Sequence, residues 1–356
     1  MQANIRKLVN FASVKEKLLG KTLEELREAA VSCSLKPFVG TQLAQWLYAK
    51  KVTRWEDMTN IGRQAKESLA AKFDLGTVPP SSVAESSDGT KKYLFEVASE
   101  PVTAVEAVVI PDDDRKTLCV SSQAGCRMGC RFCMTGRQGW HGNLDAADII
   151  NQFVSTAEAA QLTNAVFMGM GEPLDNFDAV LRAIEILTAP WGFAWSPKRI
   201  TVSTVGVIPN LTRLLDATRC HIAVSVHNPF PEERFGMMPV QKAWPLRDVL
   251  DILRRYDFSG QRRVSFEYTM FRGWNDDARH ARALSSLLKG LECRVNLIRF
   301  HKIPDFPYDT SPETAMESFQ KILNNNSILC TIRASRGEDI FAACGLLAGK
   351  HSESQR

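Results

Sequence analysis

Cys126, Cys130 and Cys133 stand in the run Cys126-Arg-Met-Gly-Cys130-Arg-Phe-Cys133, a C-x3-C-x2-C spacing. Three thiolates can bind three irons of a four-iron, four-sulfur (4Fe–4S) cluster, whose full set of protein ligands would be four. The remaining iron is then open to a small molecule, as the vacant position of a catalytic metal site is. A cluster held this way can chelate the amino acid end of S-adenosylmethionine (SAM) and reduce its sulfonium, releasing a carbon radical. The competing reading is a Cys3His zinc knuckle, because His141 follows Cys133 with seven residues between and short Cys/His spacings commonly bind zinc. On that reading the chain is a zinc-dependent RNA-binding protein without catalysis.

The elements that carry these residues distinguish the two. From residue 116 the pattern is strand followed by helix, repeated. Strands are expected at 116–122, 164–168, 199–204, 221–227, 262–270 and 294–300, with helices between them at 146–158, 178–187, 245–256 and 277–288. Six such units fit an α/β fold in which a parallel sheet curls into a partial (β/α)6 barrel. A seventh extended run, 328–334, adds to the edge, and a closed eight-unit barrel is not supported. Upstream, residues 12–75 read as helical, with Leu43, Trp46 and Leu47 at helical spacing. Residues 78–90 are rich in Pro, Ser and Gly and read as a linker, and short extended runs follow at 92–97 and 102–110. The expected organisation is therefore an N-terminal helical accessory domain with its linker at 1–90 and a catalytic domain at 91–356.

In (β/α) barrels, chemistry gathers at the C-terminal ends of the strands. The cysteine cluster follows the first strand and Gly169-Met170-Gly171-Glu172-Pro173 the second. Ser203 ends the third, Ser225-Val226-His227 the fourth, Glu267 and Tyr268 lie late in the fifth, and His301 follows the sixth. Glycine lets backbone approach a ligand closely, and Glu172 offers acceptors for an ammonium or for ribose hydroxyls. These features converge on one rim, and the zinc reading gives no reason for them.

The cysteine loop, with Phe132 before its last cysteine, resembles the radical SAM superfamily. Gly-Met-Gly-Glu-Pro-Leu at 169–174, Ser-Val-His at 225–227 and Arg-Gly-Glu-Asp-Ile-Phe-Ala-Ala-Cys-Gly at 336–345 narrow the likeness. So do Lys36-Pro37-Phe38, the run Gln42 to Tyr48 and Met58 to Ile61. Together they resemble the RlmN group, the dual-specificity 23S rRNA and tRNA adenine-C2 methyltransferases.

The resemblance implies Cys126, Cys130 and Cys133 as cluster ligands and Cys344 as a methyl carrier. One SAM would methylate Cys344, and a second would yield a 5′-deoxyadenosyl radical that takes hydrogen from that methyl group. The carbon radical would add to adenine C2, and Cys119 would resolve the adduct through a transient disulfide with Cys344. Two SAM are thus used per methyl transferred. Glu106 matches the family's proton acceptor, and Gly171, Glu172, Ser203, Ser225, Val226 and His227 its SAM contacts. The implied partners are 23S rRNA, tRNA and an electron donor of the flavodoxin or ferredoxin type. One departure is that the family's Asn-Leu-Ile-Pro-Phe-Asn reads Asn296-Leu-Ile-Arg-Phe-His301 here, so His301 replaces an expected SAM-contacting Asn and Arg299 replaces a Pro. The related resistance enzymes methylate C8 of the same adenine and tend to carry Ala in place of Pro173 and Glu267, which favours C2. Chemically, C2 of adenine is not a nucleophile, so polar methyl transfer has nothing to attack with. A tethered carbon radical avoids that obstacle, and the base must leave its stack to reach it.

Composition agrees without deciding. The 356 residues are 44% hydrophobic and 24% charged with a net charge of +4, an ordinary globular balance whose basic lean alone names no partner. No apolar run approaches the roughly 20 residues of a membrane span, no export signal is visible, and nine cysteines then read as reduced thiols or ligands of a cytoplasmic protein. Nothing in the sequence demands more than a monomer. Cys33, Cys220, Cys293 and Cys330 read as buried small hydrophobes, and without the family likeness Cys119 and Cys344 would too. Glu106 reads equally well as a solvent-facing strand position. The pairs Lys91-Lys92 and Arg262-Arg263 read as solvated surface, and Trp46 and Tyr48 as domain core.

Overall fold

The computed structural model describes residues 15–97 and 103–348. The starts of the segments expected at 12 and at 102 lie outside the described residues. The first unit comprises β1 (Glu16–Lys17), α1 (Leu23–Ser32), α2 (Phe38–Ala44) running on into a π-turn at Gln45–Ala49, α3 (Arg63–Lys72) and β2 (Phe73–Asp74). A capping box starts α1: Thr22 accepts from the Glu25 amide and Glu25 reaches back to the Thr22 amide. The helical reading holds except for the short parallel pair β1–β2. Trp46 and Tyr48 are buried, as expected. The Tyr48 hydroxyl donates to the Lys21 carbonyl at 2.6 Å, and its ring packs 5.8 Å from that of Trp191 in the main domain. Gly20 (φ +84°) brings backbone against the helix beginning at Ala146; a Cβ there would sit 2.5 Å from the Ala147 nitrogen. Lys17 bridges Asp145 and Asp148 at the start of that helix. The N-terminal unit is thereby fastened to the start of that helix and to Trp191.

The remaining elements alternate as the sequence implies. In order they are β3 (Ser82–Glu85), β4 (Lys91–Val97), β5 (Thr103–Asp112), β6 (Arg115–Cys119), β7 (Gln123–Gly125), α4 (Met134–Arg137), β8 (Trp140–Asn143), α5 (Ala146–Val154) and β9 (Asn164–Phe167). Then follow α6 (Phe177–Thr188), β10 (Ile200–Thr204), α7 (Ile208–Ala217), β11 (His221–Ser225), α8 (Pro231–Met237), α9 (Leu246–Leu253), β12 (Val264–Met270), α10 (Ala278–Leu288), β13 (Arg294–Arg299), α11 (Glu313–Asn325) and β14 (Leu329–Ile332). The sheet order is β14-β13-β12-β11-β10-β9-β6-β5-β4-β3. From β6 to β13 six parallel strands lie in sequence order, β14 adds a seventh in parallel, and β5, β4 and β3 extend the other edge antiparallel. This is the expected partial barrel, open between β3 and β14. Within the stretch read as linker, residues 82–85 instead form β3, because the Asp88-Gly89 turn folds the chain back so that Val83 pairs with Tyr93 and Glu85 with Lys91 of β4. Among the described residues no helix is long and apolar enough to cross a membrane.

Side-chain direction along the parallel strands explains what the barrel is for. Outward positions such as Val202, Val224, Phe266, Tyr268, Val295 and Leu297 are fully covered by helices. Inward positions are mostly polar: Thr201 and Ser203, His221 and Ser225, Ser265, Glu267 and Thr269, Arg294 and Asn296, with Ala223 and Ile298 the apolar exceptions on β11 and β13. Parallel strands packed on both faces are ordinarily apolar throughout, and a closed barrel fills its interior with bulky branched side chains. A polar lining marks an interior kept for a ligand.

Candidate active site

The cysteine loop leaves the sheet through the β7–β8 hairpin. Gly125 adopts φ +73° there, and a Cβ would lie 2.0 Å from the Gly139 carbonyl oxygen, so only glycine closes the hairpin. The Cys126 amide donates to Gly139, and the Arg131 amide to Met237. Cys126, Cys130 and Cys133 line a cavity at the C-terminal ends of the strands with Gly169, Gly171, Glu172, Ser203, Ser225 and His227. Burial raises the Cys126 thiol to about 12. It raises Cys130 well above the usual range, reinforced by the neighbouring Cys133 and Cys126. Buried, mutually repelling sulfurs hold their protons unless cationic iron replaces them. Three such donors on one wall, in a largely apolar cavity that also presents Glu172, Ser203, Ser225 and His227, fit a cluster with one open iron. Among the described residues no three His, Cys, Asp or Glu side chains gather as ligands of a single ion do. His141 lies exposed on β8, so the drawn Cys3His knuckle is not formed.

The opposite wall comes from the turn after β9. Glu172 is buried, its Oε1 accepting from the Leu174 amide at 3.1 Å and its Oε2 from the Val205 amide at 3.0 Å. Burial raises its carboxyl to about 7, against those hydrogen bonds. A ligand cation in this cavity would restore its charge. The glycines serve packing as much as ligand approach. A Cβ on Gly169 would lie 2.7 Å from Ser121 Oγ, and one on Gly171, at φ +98°, 2.5 Å from Gln123 Cβ. Gly171→Ala is expected to lower stability by about 2–3 kcal/mol and to displace Glu172; thermal unfolding of the purified protein checks it, and an unchanged Tm would refute the packing account.

His227 sits at φ 56°, its Nδ1 accepting from the Thr269 amide at 2.9 Å and its ring edge-on to Phe132 at 4.9 Å. Burial, then Arg234, depresses it to about 3, so the imidazole is neutral and Nε2 carries the proton. Ser225 and His227 reach the cavity. Val226 does not: its side chain is buried, and it offers backbone alone, the amide to Glu267 and the carbonyl to Arg234. His301 lies elsewhere too, 3.2 Å from Glu338 and from Ser335 Oγ, on a second cavity.

That second cavity, about 520 Å³, runs along the inner face of the open sheet, within the range of about 300–1,000 Å³ usual for ligand sites. Its lining includes Arg115, Lys198, Arg199, Arg263, Arg299, Arg333 and Arg336, against one carboxylate, Asp112. Cys119 and Cys344 both lie on it. The Cys119 thiol is pushed up to about 12 by burial and then by Cys344. Cys344 is open to the cleft, yet protein closes round it and raises its thiol, with Arg333 pulling the other way. Cys344, Arg333, Met168 and Ile298 line both cavities, so Cys344 stands where the two meet.

Several residues matter that the sequence reading did not single out. Arg333, after β14, lies 3.7 Å from Glu267. Asn296 and Ser265 both donate to Glu267 Oε1, at 2.7 and 2.9 Å. Polar residues at every second position of β12 and β13 were the available signal. Arg299, the departure from the family's Pro, pairs with both oxygens of Glu313 and donates to the Arg333 carbonyl at 2.7 Å. Two surface readings fail: Lys92 and Arg262 are each 5% exposed, Arg262 donating to the Leu215 carbonyl at 2.7 Å and to that of Thr218, because the C-terminal end of α7 leaves carbonyls to cap. Glu106 is not solvent-facing. It is wholly buried, 3.0 Å from Lys92 and accepting from the Ala348 amide at 2.6 Å. Cys220 and Cys330 are buried as expected, whereas Cys33 and Cys293 are half-buried.

Residues 120–284 match the model of the radical SAM superfamily, and residues 16–75 that of the ribosomal RNA large subunit methyltransferase N-terminal domain. A probable dual-specificity RNA methyltransferase RlmN of Porphyromonas gingivalis is 57% identical over 95% of this chain and 98% of its own length. The dual-specificity RNA methyltransferase RlmN of Bdellovibrio bacteriovorus is 38% identical over 95% of this chain and 84% of its own. The crystal structure of a radical SAM methyltransferase from Sphaerobacter thermophilus superposes with a TM-score of 0.89 at 35% identity, covering 94% of this chain and 100% of that one.

Proposed function

The chain belongs to the RlmN family of radical SAM methyltransferases, and from that premise we propose that it methylates C2 of adenosine in 23S rRNA and in tRNA, with Cys344 as the methyl carrier. The observation that carries this reading is the position of Cys344 on the boundary between the cofactor-type cavity and the basic one.

Bound against Cys126, Cys130 and Cys133, the cluster together with SAM supplies a methyl group and a 5′-deoxyadenosyl radical, two SAM being used per methyl transferred. Glu172, Ser203, Ser225 and His227 face that ligand and fix its orientation; Gly171 and the Val226 backbone shape the wall behind it. The arginines and Lys198 of the second cavity neutralise RNA phosphates, and the space between them admits a base flipped from its stack. Cys344, methylated as a thioether, gives up one hydrogen of that methyl group to the radical, and the carbon left behind bonds to C2, joining protein and RNA. The Cys119 thiolate then attacks the Cys344 sulfur, closing a disulfide as the carbon–sulfur electron pair passes to the carbon, which takes a proton to become the methyl group; C2 loses its own proton, one electron returns to the cluster, and the methylated base leaves. Pro173 and Glu267 both line the cofactor-type cavity, which supports C2 over C8. The N-terminal unit acts as an accessory RNA contact, the chain works as a monomer, and a flavodoxin- or ferredoxin-type donor returns the electrons.

Anaerobic reconstitution, incubation with SAM, a reductant and an rRNA fragment, and mass analysis of digested nucleosides test the reading. The expected product is 2-methyladenosine; 8-methyladenosine would move the chain to the resistance branch, and no methylated base would sink the substrate assignment. Cys119→Ala is expected to stall at the covalent stage, giving a protein–RNA band on denaturing gels that nuclease removes. Wild-type turnover in that variant, with no such band, would take Cys119 out of the reaction.

A further inference from the structure

We propose that Lys92 and Glu106 form a clasp that fixes the Cys344 loop at both ends, with Lys92 a positioning residue for methyl transfer. The inference rests on Cys344 being the methyl carrier. Glu106 opposes Leu94 in the β4–β5 ladder, and Lys92 opposes Val108, so the two lie diagonally on one face of the sheet. Val108 in turn opposes Cys119 across β5–β6, which makes that face continuous with the inner wall of the barrel.

Lys92 Nζ lies 3.0 Å from Glu106 Oε1, with the two side chains 5% and 0% exposed. Each ion also reaches the loop. Lys92 Nζ donates to the Phe341 carbonyl at 3.5 Å, three residues before Cys344, and Glu106 Oε2 accepts from the Ala348 amide at 2.6 Å, four residues after it. A buried ion pair recovers its desolvation cost only when the rest of its hydrogen-bonding capacity is satisfied. Here the loop's own backbone is among the satisfying groups, so the pair and the docked loop stabilise each other. The loop needs such an anchor. Phe341 is held at φ 54° and is exposed, a left-handed conformation costing about 1–2 kcal/mol for a non-glycine residue. A methyl carrier must keep its carbon within a fraction of an ångström of the reacting base, and two backbone anchors bracketing Cys344 set that position.

The test uses the full-length, cluster-loaded enzyme and its Lys92→Met, Lys92→Arg and Glu106→Gln variants. Two quantities are read: hydrogen exchange of the amides of residues 341–348, and the ratio of 5′-deoxyadenosine released to adenosine methylated. In Lys92→Met, exchange of these amides rises about tenfold or more and the ratio climbs, because cleavage of SAM continues while delivery fails; Lys92→Arg restores most of both. A general folding defect lowers both products together and leaves their ratio fixed, and unchanged exchange with a fixed ratio overturns the clasp. If Lys92→Met does not fold, Lys92→Arg and Glu106→Gln decide, each shifting exchange by a smaller amount in the same direction. A proton-acceptor role for Glu106 instead predicts that Glu106→Gln accumulates the RNA adduct with exchange unaltered. Should the wild type methylate no RNA, the proposed function fails while the exchange measurement still judges the clasp.

Discussion

Cys344→Ala is expected to reduce RNA methylation by at least ~10³-fold, because a covalent carrier removed from the chain has no substitute. Its thiol lines both cavities, and no other cysteine does among the described residues. Cys119 lies on the basic cavity alone, and the three loop cysteines lie on the other. The substitution removes one sulfur from a loop separate from Cys126–Cys133, so iron content and visible absorption should match the wild type. Nucleoside mass analysis beside an iron assay reads both. Methylation persisting at near wild-type rate would show that the methyl group reaches the base without passing through Cys344.

Cys130→Ala should fail earlier. Cys130 stands between the other two loop cysteines in sequence, and its thiol is raised by burial and by both of them, so its sulfur shares their pocket. With two donors left, the cluster loses a corner, and anaerobic iron content should fall well below the about four irons expected of the wild type. SAM cleavage should then drop with methylation, by at least ~10³-fold each. That pattern separates the two variants: Cys344→Ala spares the cluster and stops transfer, whereas Cys130→Ala stops both. A brown Cys130→Ala enzyme with normal iron would refute the ligand assignment.

The two residues also differ in how they could be read. Cys126, Cys130 and Cys133 read as ligands from local spacing, since residues three and four apart in one loop cannot be far apart in space. The rim residues Glu172, Ser203, Ser225 and His227 were legible because a strand–helix repeat fixes which strand ends share a surface. Cys119 and Cys344 are separated by more than two hundred residues, and no spacing rule joins them; only the likeness to a family did so in sequence. Lys92 shows the limit most clearly. As one of two adjacent lysines it read as solvated surface, because charge alone favours water, yet a carboxylate on the next strand and a carbonyl of a distant loop together bury it.

By itself, the sequence determined the architecture and the cofactor chemistry. The repeated strand–helix pattern dictates a parallel sheet under helices, turn residues and caps set its connections, and three cysteines in one loop, taken with the rim residues, point to a cluster rather than to zinc. The tertiary structure alone decided the relations across the sheet. It turned β3 from linker into an edge strand and made the barrel's inner face polar. It placed His301 and the arginines on a separate basic cavity, gave Arg299 its partners in Glu313 and the Arg333 carbonyl, and set Cys344 between two cavities. The physical reason is that local periodicity and propensity act over a few residues, whereas burial, ion pairing and cavity shape depend on which distant segments the closed sheet brings together.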